Sequence, residues 1–168
     1  MTPTDKDIAE FVVLAWEYKF LGLPQIVAWG DEVIETRDDP PTWALDLAIV
    51  DNVETAQSVL RQIRWMRGEL TPLMPERLLV ALMKRDWQSG KLQWEQVWRP
   101  LWDINPEKDI RRCHGLPFVD VELIRKLYGL IDWRAECKAN VKHSVIEAVV
   151  DQIFATCESN EILLPYWA

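Results

Sequence analysis

Two groups of side chains have residue types and a spacing suited to chemistry. Glu32-Val33-Ile34-Glu35 is a Glu-x-x-Glu unit that puts two carboxylates on one helical face. All-α enzymes use such pairs to hold Mg²⁺ for pyrophosphate chemistry. A site of that kind needs a second pair on another helix, for which Asp51 and Glu54 are the candidates. The other group is Cys113-His114, where an imidazole beside a thiol can favour the thiolate. Adjacent residues seldom face each other, and no acid stands out to orient His114.

Other catalytic signatures are missing from the sequence. The six glycines are isolated, so no Gly-rich turn can wrap a phosphate, and there is no Gly-x-Ser-x-Gly or His-Glu-x-x-His. Cys113, His114, Cys137, His143 and Cys157 lack the close pairs of a zinc site. The sequence therefore predicts a protein that is not an enzyme and uses no metal or cofactor. A small Mg²⁺-dependent nucleotide hydrolase built on Glu32 and Glu35 is the alternative, and an adaptor or regulatory subunit is a third reading.

Charge says more than motifs do. The 168 residues carry 19 basic and 27 acidic side chains, a net −8. That excess disfavours nucleic acid or an anionic membrane as the main partner, because both are polyanions. Residues 1–56 hold twelve carboxylates against three cations, a net −9, and the remainder is close to neutral. The densest stretch carries Asp31, Glu32, Glu35, Asp38, Asp39 and Asp46 with Arg37 alone among them. Trp29 and Trp43 flank it as candidate anchors for a partner.

The N-terminal residues are polar and acidic, unlike a secretory signal, and the longest apolar runs, Phe11–Trp16 and Leu78–Met83, are only six residues. The expectation is a cytoplasmic protein with no membrane span. Its three cysteines then read as reduced, structural thiols.

The elements that must position these side chains are helices. Thr4 with Asp7 marks a helix start, and Ile8, Phe11, Val12, Ala15 and Tyr18 recur on one face. Gly22 suits its exit, and Pro24 opens a second helix with Ile26, Val27, Val33 and Ile34. Pro40-Pro41 stops that helix and precedes a third through Leu45, Leu47 and Ile49. Asp51 or Asn52 caps a fourth with Val53, Ala56, Val59, Leu60 and Ile63.

Pro75 begins a helix that Ser89-Gly90 closes, and Lys91 to Arg99 is helical in pattern until Pro100 kinks or ends it. Asn105-Pro106-Glu107 reads as a short helix start, Asp120 and Asn140 as later caps. Only Leu116–Val121 and Ile162–Tyr166 hint at extended chain. The prediction is an all-α fold, one domain over residues 1–168, of about seven or eight helices. Ten tryptophans are a heavy load; Trp87, Trp94, Trp98 and Trp102 at helical spacing read as core packing.

With this organisation the chain resembles the immunity proteins of bacterial contact-dependent inhibition and polymorphic toxin systems. The segment Arg37-Asp38-Asp39-Pro40-Pro41-Thr42-Trp43-Ala44-Leu45-Asp46-Leu47 is similar to short proline-tryptophan segments of some of those families. The resemblance implies a protein that binds a cognate toxin domain, often a nuclease, and blocks its site. Such a toxin presents a basic groove, which an acidic surface can fill by mimicking a polyanion.

Overall fold

In a computed structural model of the chain, the structure describes residues 2–104, 119–137, 142–157 and 168, with the side chains of 133–137 excepted. The described residues form eight α-helices and no strand. They are α1 (Asp5–Glu17), α2 (Leu23–Thr36), α3 (Thr42–Ala48), α4 (Val53–Trp65), α5 (Met74–Gln88), α6 (Trp94–Asp103), α7 (Val121–Cys137) and α8 (His143–Thr156). None of the described helices is long and apolar enough to cross a membrane. The fold is all-α, as the apolar spacing predicts. Packing gathers into two compact units, one built on Met1–Leu82 and one on Met83–Glu161, with the division falling inside α5.

The caps set the helix boundaries. At α1, the Thr4 hydroxyl accepts from the Asp7 N–H at 3.2 Å while the Asp7 carboxylate accepts from the Thr4 N–H at 2.9 Å. This reciprocal pair satisfies two N–H groups that a helix start otherwise leaves open. Asn52 Oδ1 accepts from the Thr55 N–H at 2.9 Å to start α4, and Asp120 accepts from the Glu122 N–H at 2.9 Å to start α7. Gly22 is the N-cap of α2 rather than the exit of α1; α1 ends at Glu17, and Lys19 makes the turn at φ 62°.

In the first unit α1 and α3 both pack on α4, and α2 packs closely on α3. Phe11, Ile26, Trp29, Leu47, Leu60 and Ile63 fill its core and are almost fully buried. Each such side chain contributes about 1.5–3 kcal/mol by leaving water.

In the second unit α6, α7 and α8 pack on one another around Val97, Leu101, Ile124, Leu127, Ile146, Val150 and Ile153. The α8 stripe read from sequence, Ile146 to Cys157, is the buried one. Pro100 does not end α6, which runs on to Asp103 with the proline buried. Trp94 is buried, and Trp87 donates through Nε1 to Asp151 at 2.8 Å. Trp102 stacks on Tyr128 at 4.2 Å. The short helix at Asn105, the Asn140 cap and the two extended stretches lie outside the described residues, apart from Val119–Val121.

Candidate functional site

The acidic stretch occupies the last two turns of α2, the α2–α3 connection and α3. Ile26, Trp29, Gly30 and Val33 form the buried face of α2, with Trp29 and Gly30 against α3, and this leaves Asp31 and Glu35 exposed one turn apart. A tight helix crossing fixes that orientation. A Cβ added at Gly30 would lie 2.8 Å from the Ala48 backbone N and 2.9 Å from the Ala44 O. Only glycine fits there, and the close approach carries the acidic end of α2 alongside α3. Asp38 and Asp39 are exposed in the connection, while Glu32 and Asp46 are partly exposed.

Electrostatics make this placement unfavourable for the isolated fold. Like charges at i,i+4 cost a few tenths of a kcal/mol. Carboxylates at a helix C-terminus also oppose its dipole, by about 0.3–1 kcal/mol each. Arg37, the sole cation in the stretch, binds Asp5 of α1 through both guanidinium nitrogens, with Nη1 2.9 Å from Oδ2. That hydrogen bond, with the field of Asp5 and Glu32, raises the Arg37 pKa against the opposing pull of burial. Asp31, Glu35, Asp38, Asp39 and Asp46 form no ion pair among the described residues. From residue 38 to residue 60 the sequence has five carboxylates and no Lys or Arg.

The two tryptophans require a correction. Trp29 is 1% exposed and Trp43 5%, and their rings pack against each other at 5.0 Å inside the α2–α3 pair. A partner cannot reach them without opening the core, so they hold the hairpin together and are not surface anchors. Trp43 Nε1 is buried without a hydrogen-bond partner among the described residues. The exposed apolar side chains nearby are Leu45, Ile49 and Val53, with Ile49 82% exposed. The sequence runs the third helix through Leu45, Leu47 and Ile49, but of these only Leu47 is buried. The spacing of Trp43, Ala44 and Leu47 is the signal for the inner face, and it turns Leu45 and Ile49 outward.

The remaining chemical candidates gain no support from the geometry. No three His, Cys, Asp or Glu side chains among the described residues are grouped so as to hold a metal ion. Among the described residues, Glu32 and Glu35 thus have no second carboxylate pair grouped with them, Asp51 and Glu54 included. Cys113 and His114, like Cys137, lie outside the residues whose side chains are described. Cys157 is buried, and burial pushes its thiol up to about 11, only partly countered by Lys84.

Comparison with family models, curated proteins and solved structures finds no match.

Proposed function

We propose that this chain is a stoichiometric binding protein of the immunity type. It docks its acidic α2–α3 surface on a basic toxin domain and blocks that domain's site. The observation that carries the reading is the set of unpaired carboxylates on Asp31, Glu35, Asp38, Asp39 and Asp46, with Arg37 diverted to Asp5. Their placement disfavours the isolated fold and favours encounter with a cation-rich partner. Glu32 adds to the same field. Leu45 supplies exposed apolar area beside Asp46, so the acidic rim has an apolar contact within it. A nuclease toxin is the partner class that fits best, because its phosphate-binding groove is basic. In this reading the protein works in the cytoplasm, where it would meet an incoming toxin.

The test is co-purification with the product of the neighbouring reading frame, followed by association kinetics at several salt concentrations. Asp31→Lys, Glu35→Lys and Asp38→Lys together should slow association at least tenfold and flatten its salt dependence. An unchanged rate with an intact helical spectrum overturns the assignment of this surface.

A further inference from the structure

The outer face of α4 takes no part in that surface, and it is its own complement. Glu54, Ser58, Arg61 and Trp65 follow one another at helical spacing, and all four are exposed. The inner face, Ala56, Val59, Leu60 and Ile63, is buried. Neither Glu54 nor Arg61 has an ion-pair or hydrogen-bond partner for its side chain among the described residues. Exposed apolar side chains flank the helix along the chain: Ile49 (82% exposed) at the end of α3 and Val53 (43%) at the first position of α4, then Trp65 (81%) and Met66 (45%) at its finish. Leaving Leu45 to the acidic surface, five of the eight large exposed hydrophobics among the described residues lie at positions 49–53 or 65–70, to either side of this stripe in the chain. Isolated exposed apolar residues are ordinary, but two clusters bracketing one helix face mark an interface.

We propose that two copies of this chain associate through α4, packed antiparallel about a two-fold axis passing beside Gln57 and Ser58. In that register each Glu54 stands opposite the second copy's Arg61, so one contact is made twice. The small Ser58 lies near the axis, where two helices approach most closely. Each Trp65 then covers the Ile49–Val53 end of the other copy. A stripe that is negative and apolar at one end, positive and apolar at the other, maps onto itself under this rotation, as an isologous interface requires. Tryptophan and arginine are also the residue types that anchor such contacts. Asp31, Glu35, Asp38 and Asp39 stay outside the contact, so the proposal stands independently of the toxin-binding reading.

Sedimentation equilibrium of the full chain tests it. The wild type should pass from monomer to dimer with rising concentration. Glu54→Arg or Arg61→Glu alone places like charges opposite each other and should weaken the dimer at least about tenfold. Combining Glu54→Arg with Arg61→Glu should restore it, because the swapped pair is again complementary. Trp65→Ala should weaken it, whereas Asp38→Lys with Asp39→Lys should leave it unchanged. All of these positions are exposed, and a helical circular dichroism spectrum checks that each variant folds. The proposal is overturned if the wild type sediments as a monomer at every concentration, or if the double swap is no better than the single reversals.

Discussion

Thr71 donates twice to Asp7, from its backbone N–H to Oδ1 at 2.8 Å and from its hydroxyl to Oδ2 at 2.8 Å. The two residues are 64 apart in sequence, so one carboxylate both caps α1 and ties down the α4–α5 connection. Lys6 adds to this tie by donating to the Gly68 carbonyl at 3.0 Å. Asp7 is fully buried, and a buried charge survives only when its lone pairs are used. Here the Thr4 and Thr71 N–H and hydroxyl groups all donate to it.

This arrangement gives a pH dependence of known sign. Burial alone raises the Asp7 pKa, but the four hydrogen bonds outweigh it and hold the carboxyl below its usual value of 3.8. The folded pKa is therefore depressed relative to the unfolded chain. The stabilisation is full above about pH 4 and is lost as pH falls through the folded value. Asp7→Asn should lower stability at pH 7 by more than about 2 kcal/mol, since it removes the charge from a set of donors arranged for it. Urea midpoints of wild type and Asp7→Asn should converge as the pH drops below about 4. A gap that stays constant down to pH 2 contradicts this account.

The helix crossing at Gly30 gives a second prediction, with an internal control. Gly30→Ala drives a methyl into backbone atoms of α3 that cannot rotate away, and overpacking of this kind costs about 1–3 kcal/mol. At Gly129, inside α7, an added methyl would meet no described atom within 4 Å. Gly129→Ala should thus stabilise by about 0.5–1 kcal/mol through helix propensity alone. Thermal melts of the two variants should move in opposite directions. Equal shifts would mean that the Gly30 crossing is not tight.

Most of the helices are legible in the sequence because apolar spacing and caps are local signals. Thr4 with Asp7, Asn52 and Asp120 each bond within three residues; the first and last stand where the sequence places them, and of the two caps it leaves open for α4, Asp51 and Asn52, the structure uses Asn52. What the sequence hides is long-range. The same Asp7 also holds Thr71, and Arg37 leaves its acidic neighbours for Asp5, 32 residues away. Trp29 and Trp43 sit among carboxylates in the chain, yet they face inward because α2 and α3 cross at Gly30. Trp65 points outward at the end of a helix whose inner face is already filled by Ile63 and its neighbours. A tryptophan's chemistry suits either environment, so only the helix phase decides between them.

Burial of Cys157 predicts a chemically quiet thiol. With its pKa pushed up to about 11, the thiolate is scarce near neutral pH. Under native conditions mass spectrometry should find Cys157 unmodified by iodoacetamide, and fully alkylated once urea unfolds the chain. Rapid native labelling at this residue would show that α8 opens readily at its C-terminal end.

Arg37 separates the demands of stability from those of binding. Its ion pair with Asp5 is partly exposed on both sides, at 41% and 25%, so solvent screening limits it to less than about 1 kcal/mol. Arg37→Ala should therefore lower stability by less than that, with almost no effect in high salt. The same change removes the only cation between Lys19 and Arg61, and it leaves Asp31, Glu35, Asp38 and Asp39 exposed as before. Association with a basic partner should become faster and more sensitive to salt. Asp5→Ala should act in the opposite sense on binding, because it frees Arg37 to fold back over its own carboxylates. If Arg37→Ala slows association instead, the guanidinium itself contacts the partner, and the α2–α3 surface is not read through its negative charge.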